Sequence, residues 1–139
     1  MEDVKDFITQ YDRFAGHAEI VLEEISSGSS RARVNIQEKH LNGLGFAHGG
    51  AIFTLADLAF AAAANSRKEV AVGINATISY IRPAKKDQTL TATARETFSN
   101  RTLSGYLVEV RNESGELVAT FQGTAYKKGK TRDHICPSA

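Results

Sequence analysis

Apolar residues recur along this chain at two different spacings, and each change of spacing marks a new element. Val4, Phe7, Ile8 and Tyr11 fall on one face at helical intervals, which predicts a short helix over about residues 3–14. After Gly16 the run from His17 to Ile25 reads as a strand, and Ser26-Ser27-Gly28-Ser29 reads as a turn. Ala32, Val34 and Ile36 then alternate with Arg31, Arg33, Asn35 and Gln37. A period of two is that of a half-buried strand, so the two runs form a hairpin.

The next segment differs in kind. Leu41-Asn42-Gly43-Leu44-Gly45-Phe46-Ala47 is a glycine-bearing loop, and His48-Gly49-Gly50 leads into a stretch, Ala51 to Ala64, that holds one charged residue, Asp57. Alanine, leucine and phenylalanine favour helix, and Asn65 is a suitable C-terminal stop. A helix apolar nearly all round is expected to be enclosed by the rest of the domain, and its alanines let a sheet come close.

Four strands are expected after it. Val70, Val72, Ile74, Ala76, Ile78 and Tyr80 share one face of the first, which Pro83 ends. Leu90, Ala92, Ala94 and Phe98 alternate in the second, the third spans about 103–110, and Leu117, Ala119, Phe121 and Ala125 alternate in the fourth. Asn112-Glu113-Ser114-Gly115 joins the last two as a tight hairpin. The pattern describes an α+β domain, an antiparallel sheet of five to six strands wrapped around one long helix. Residues 1–139 read as a single domain with a loose tail from Gly129.

Composition narrows the function. Seventeen basic against 16 acidic residues leave a net charge of +1, which supplies no field for nucleic acid, so any anionic ligand needs a local basic patch. The N-terminal residues lack the pattern of a signal peptide, and the apolar run around Asp57 is shorter than the ~20 residues that cross a bilayer. A cytoplasmic protein without membrane or nucleic-acid partners is expected. His17, His40, His134 and Cys136 show no metal-ligand spacing, so no metal and no cofactor is expected.

Asp57 is the oddest residue. A carboxylate on an apolar helix either sits at a wet edge, is satisfied by a neighbouring hydroxyl, a cap or an ion pair, or is kept for chemistry. Gly49 and Gly50 stand where the helix begins, and the first-turn N–H groups of a helix lack internal partners. Glycine lets a carbonyl that gains negative charge approach those donors, although a glycine pair also simply makes a tight entry turn. Gly49 and Asp57 are eight residues apart, about 12 Å along a helix. Both groups need to lie about 3 Å from one reacting centre, so one chain cannot use both on one substrate. An antiparallel helix from a second subunit, related by a twofold axis, would set each Gly49 against the other chain's Asp57.

Asn42-Gly43, then His48-Gly49-Gly50, then Leu55-Ala56-Asp57 resemble the signature of hotdog-fold thioesterases of the phenylacetic-acid-degradation (PaaI-like) type. The resemblance spans roughly residues 14–127 and includes Tyr80-Ile81-Arg82-Pro83 and Val108-Glu109-Val110. It implies hydrolysis of an aryl or medium-chain acyl-coenzyme A, with coenzyme A entering as part of the substrate. It also implies a homodimer with shared active sites, or dimers paired into tetramers. Asp57 matches the catalytic acid, and Gly49 the backbone amide that polarises the carbonyl. Asn42 matches a polar residue near the water or the thioester. His48 matches an imidazole that shapes the turn, the role favoured here over general base. Where some relatives carry a water-holding Ser or Thr, this chain reads Gly73-Ile74-Asn75, which leaves that function absent or passed to Asn75.

Arg82, Lys85 and Lys86 make a small basic cluster, and Arg101 is a further cation. Such residues are commonly solvated turn positions, but the phosphates of coenzyme A need cations. Gly50 joins them as a substrate-binding candidate. Two other functions remain on the same fold: a non-catalytic acyl-coenzyme A sensing module, and a hydratase or dehydratase. The first lacks an added DNA-binding element here, and the second lacks a histidine partner for Asp57 within its helix.

Overall fold

The alternation of small apolar and polar residues is resolved by antiparallel pairing throughout. The computed structural model describes residues 2–131, so His134 and Cys136 lie outside the described residues. The elements are α1 (Glu2–Tyr11), α2 (Arg13–His17), β1 (Val21–Ser26), β2 (Ser29–Asn35), a 3-10 turn (Glu38–His40), α3 (Gly49–Ala64), β3 (Glu69–Tyr80), β4 (Thr89–Ser99), β5 (Leu103–Arg111) and β6 (Leu117–Thr131). They form one six-stranded sheet in the order β1-β2-β4-β5-β6-β3. Hairpins join β1 to β2, β4 to β5 and β5 to β6, while β3 crosses to the far edge and pairs with β6 alone. Asn112 seals the β5–β6 turn by accepting from the N–H groups of Ser114 and Glu116, both at 3.0 Å.

α3 lies against the concave side of this sheet. Leu55, Ala56, Ala59, Ala62 and Ala63 are fully covered and meet the alanines and valines of β2, β4, β5 and β6. Ser30 fastens the helix to β2 by donating to the Ala59 carbonyl at 2.5 Å. At the C-terminus the Asn65 amide donates to the Ala61 and Ala71 carbonyls, and its oxygen accepts from Ala71 N–H, so helix and β3 are stitched together. The expected sheet around a helix is what the chain forms. No helix among the described residues is long and apolar enough to cross a membrane.

Five local expectations need correction. Asp12 divides the N-terminal helix in two, because its carboxylate accepts from Ala15 N–H at 3.1 Å and so starts α2. His17 therefore ends a helix, and the strand assigned from His17 begins only at Val21. A bulge in β3 opposes Gly73-Ile74-Asn75 to the single step Ala125-Thr124, so the strand changes face. Ala71 and Gly73 before it, and Ile78 and Tyr80 after it, look toward α3, while Val72 and Ile74 are exposed. A second bulge, between Glu96 and Phe98, turns the Phe98 ring over Gly105 and away from the face of Ala94. Finally, the chain beyond Gly129 is not loose as far as Thr131, since Thr131 pairs with Glu69 and Gly129 N–H donates to the Glu69 carboxylate at 2.9 Å.

The tightest fit of helix to sheet is at Phe60. Its ring is 3% exposed and lies over Gly73 of β3 and Gly123 of β6, with Tyr106 and Phe121 at its edges. A Cβ at Gly123 would stand 2.7–2.8 Å from three of its ring carbons, and one at Gly73 would stand 2.8 Å from a fourth. The two glycines thus make a socket, and burying the ring contributes roughly 1.5–3 kcal/mol. Gly123→Ala should cost about 1–3 kcal/mol through overpacking, measured as a lower urea midpoint. Adding Phe60→Leu should recover part of that loss, whereas strictly additive losses would show that the socket is not the cause.

Candidate active site

The start of α3 is built by the loop that precedes it. Asn42 Oδ1 accepts from Leu44 N–H at 2.9 Å and Phe46 N–H at 3.1 Å, closing the glycine-bearing loop on itself. Ala47 N–H donates to the Ala84 carbonyl and His48 N–H to the His40 carbonyl, which pins both ends of the entry. His40 is buried and holds position by accepting from Gln37 N–H through Nδ1, with its Nε2 at 2.7 Å from the Ala18 carbonyl.

His48 is the N-cap. Its Nδ1 accepts from Gly50 N–H at 2.8 Å, and its carbonyl accepts from Ala51 and Ile52 N–H. A ring that accepts at Nδ1 carries its proton on Nε2 when neutral. Three of the four first-turn donors are thereby claimed. The Gly49 N–H has no acceptor among the described residues, and Gly49 lines a cleft of about 330 Å³ with Asn42, Ile52, Tyr80 and Arg82. Gly50, by contrast, spends its amide on the cap.

Tyr80 is part of this end of the helix, and the strand pattern alone did not reveal it as such. Its hydroxyl donates to the Gly49 carbonyl at 3.0 Å, and a Cβ at position 49 would meet that hydroxyl at 3.1 Å. A side chain at position 49 would press on that hydroxyl, which would have to give by a few tenths of an ångström. The sequence signal was present in Tyr80-Ile81-Arg82-Pro83, but pairing a strand-end hydroxyl with a helix start needs the fold.

Asp57 lies on the outward side of α3, in line with Gly50, Thr54 and Ala61 at helical intervals. No hydrogen bond or ion pair reaches its carboxylate among the described residues, and the nearby Thr54 hydroxyl donates instead to the Gly50 carbonyl at 2.7 Å. A cap, an ion pair and a hydroxyl partner therefore have no counterpart here, whereas the exposed side chain does match a carboxylate at the wet edge of the helix. Much of its surface is open in the single chain, yet the groups packed around its base strip water from the carboxyl. That desolvation first, and the charge of Asp12 second, hold its pKa above the ordinary carboxylate value. Asp12 is a second group that composition and spacing did not point to.

The remaining candidates are scattered. Arg82 donates to the Leu117 carbonyl at 2.9 Å and lies 3.6 Å from the Glu116 carboxylate, so its charge is partly matched. Lys85 and Lys86 are exposed beside it, where the backbone of Lys85 bridges to Phe46. Asn75 is exposed on β3 just past the bulge. Arg101 is in the β4–β5 turn, at the other end of strands that span about 30 Å, and joins none of the others. No group of three His, Cys, Asp or Glu side chains suited to a metal is assembled among the described residues.

Known proteins resemble this chain in sequence and fold. The chain is 36% identical over 112 residues to the acyl-coenzyme A thioesterase PaaI of Escherichia coli, covering 81% of this chain and 80% of that protein. A putative esterase of Archaeoglobus fulgidus is 35% identical over 127 residues, or 91% of this chain and 82% of the relative. The structure of the Escherichia coli PaaI protein superposes with a TM-score of 0.86 at 33% identity, covering 89% of this chain and 90% of that one. A Streptococcus mutans protein bound to acetyl-coenzyme A superposes at 0.77 and 30% identity, covering 81% and 90%. The sheet wrapped around α3 is thus the hotdog fold. The Thioesterase superfamily model matches residues 44–119, more than half of the chain and all of α3, so this chain belongs to the Thioesterase superfamily.

Proposed function

We propose that the protein hydrolyses the thioester of acyl-coenzyme A to a free acid and coenzyme A, at sites shared between two copies of the chain. The observation that carries this reading is a pair of unspent groups on one helix, the Gly49 N–H and the Asp57 carboxylate. Gly49 N–H donates to the thioester oxygen and favours the charge that develops there. Asp57 of the other copy takes a proton from water as the new C–O bond forms, and the C–S electrons leave with the thiolate, which recovers the proton. Direct attack by the carboxylate, followed by hydrolysis of the anhydride, uses the same ionised group. Asn42 offers its amide NH₂ to the thioester or the water, its oxygen being occupied within the loop. Asn75 and the cations Arg82, Lys85 and Lys86 are the remaining substrate-binding candidates, with Lys85 and Lys86 less encumbered than Arg82 for phosphate. Relatives named as acyl-coenzyme A thioesterases support the substrate class, and the cytoplasmic setting expected from the sequence belongs to the same proposal.

The second copy is argued from two features. Gly49 and Asp57 are about 12 Å apart on α3, too far to meet at one carbonyl. β3 has a neighbour on one side only, and this twelve-residue edge exposes Val72, Ile74 and Tyr80, with Ile81 exposed just past its end. A long apolar edge is a template for pairing, and pairing with itself closes a twofold dimer. Further pairing of dimers into tetramers is compatible with this arrangement.

Asp57→Asn should lower kcat by at least 10²-fold on the best of a panel of acyl-coenzyme A substrates, assayed by thiol release. Activity of the wild type should fall in acid with a midpoint above ~3.9, the ordinary aspartate value, because the ionised carboxylate is the working form. Stability moves the other way. With the folded pKa raised, ionisation disfavours the fold, so wild-type stability declines as pH rises through that window and Asp57→Asn is the more stable at neutral pH. Thermal melts of both forms should converge in acid. Near-wild-type turnover in the Asn variant would refute the assignment, and tight coenzyme A binding without thiol release would select the sensing module instead.

Neutralising Lys85 and Lys86 together should raise KM and leave kcat largely unchanged, with a smaller effect at high salt. A fall in kcat at constant KM would contradict a role in holding phosphates.

Complementation tests the shared site. Gly49→Val and Asp57→Ala homodimers should each be inactive. Their heterodimer joins Gly49 of one chain to Asp57 of the other at one intact site, so it should recover about half of the wild-type rate. Confirmed heterodimers with no recovery would mean that the two groups do not act across an interface.

A further inference from the structure

Asp57 stands on a ridge of α3 between two cavities, and the one beneath the N-terminal helices is not used by the mechanism. It has a volume of about 550 Å³, walls of Val4, Phe7, Tyr11 and Phe14, and a floor of Ala61 and Val70. On the other side of Asp57 a cavity of about 700 Å³ is bounded by Gly50, Thr54, His48, Lys39 and Tyr80. Phe14 lines both. Ala61 follows Asp57 by one turn on the same stripe, where Cβ atoms are roughly 5–6 Å apart. Asp12, which also lines the smaller cavity, is near enough to raise the Asp57 pKa, an independent sign that the carboxylate and this cavity adjoin.

The chemistry of the lining selects the occupant. Phe7 and Tyr11 stack at 4.9 Å between ring centres and present one aromatic wall. Of the polar groups in the lining, Asp12 caps α2 and both atoms of the Asn65 amide are bonded to Ala61 and Ala71, which leaves the guanidinium of the exposed Arg13. A polar guest would find few partners there, whereas an apolar one is covered on several sides.

We infer that the cavity between α1 and α3 receives the acyl tail of the substrate, and that Tyr11 and Ala61 set which acyl groups are hydrolysed. This rests on the thioesterase reading and deepens it. An apolar tail larger than acetyl, as a ring or a chain of several carbons, runs from the thioester at Asp57 past Ala61 and beneath α1. Acyl preference therefore resides in the N-terminal helices, and the bond-breaking groups do not select the tail.

The test compares kcat/KM for acetyl-, hexanoyl- and benzoyl-coenzyme A in the full-length dimer, with folding checked by thermal melts. The wild type should favour hexanoyl or benzoyl over acetyl by tenfold or more, and the preferred one identifies chain or ring. Ala61→Leu fills the floor and should cut that ratio by at least tenfold, since a hydrophobic pocket gains or loses 10–200-fold per methylene. Tyr11→Ala opens a wall and should shift preference toward the bulkier tail. Opposite shifts from a filling and an emptying change are not produced by general loss of stability. Folded variants that both keep the wild-type ratios overturn the proposal, as do variants that change only the mass of the assembly. If the wild type hydrolyses none of the three, calorimetry with thioether analogues bearing hexyl or methyl tails gives a separate answer. Tighter hexyl binding that is lost in Ala61→Leu upholds the acyl cavity while the hydrolase reading fails, and equal affinities overturn the cavity as well.

Discussion

The distance at which α3 can approach the sheet governs the rest of the molecule. Five fully covered residues, four of them alanines or alanine-sized neighbours of Leu55, let the helix sink until its backbone lies close to β2 and β4. Phe60 is the exception, and the sheet accommodates it by removing side chains from Gly73 and Gly123. Once the helix is enclosed on its sheet side, only two parts of it stay accessible, its first turn and its outward stripe. Gly49 and Asp57 occupy those two parts.

Enclosure also explains why the donor and the carboxylate are both uncommitted. The first turn of a buried helix must satisfy its amides or present them to a ligand, and here His48, through ring and carbonyl, claims three and leaves one. On the outward stripe, Thr54 turns its hydroxyl back to Gly50 and gives Asp57 nothing. The carboxyl is left with desolvation and a like charge, both of which disfavour its ionised form. A rigid rise per residue keeps donor and carboxylate apart, so the feature that makes each available also prevents a single chain from using both on one thioester.

Much of this was legible in the residues. Hairpins follow from alternation, and α3 follows from an apolar run bounded by His48 and Asn65. Gly49 and Asp57 stood out because a glycine at a helix start and a charge within alanines are chemically conspicuous. What could not be read depends on partners distant in sequence. The bulges at Ile74 and Thr97 exist only relative to β6 and β5, and they send Val72, Ile74 and Phe98 to faces that period-two counting does not assign. The hydroxyl of Tyr80 on Gly49 and the charge of Asp12 beside Asp57 likewise span 31 and 45 positions, beyond any local pattern. Arg101 ranks behind Arg82 as a cation in the sequence, and topology separates the two.

Phe60 follows Asp57 by three residues, so the ring in its glycine socket and the carboxylate outside are nearly one rigid lever. For α3 to slide along the sheet, the ring would have to climb out between β3 and β6, and for α3 to roll, it would strike Tyr106 or Phe121. The socket works as a detent that indexes the helix at one position. Because β3 forms half of that detent and also the edge of the sheet, the height of the carboxylate is referenced to the same strand that would meet a second copy. Alignment across such a junction would then be inherited from the sheet.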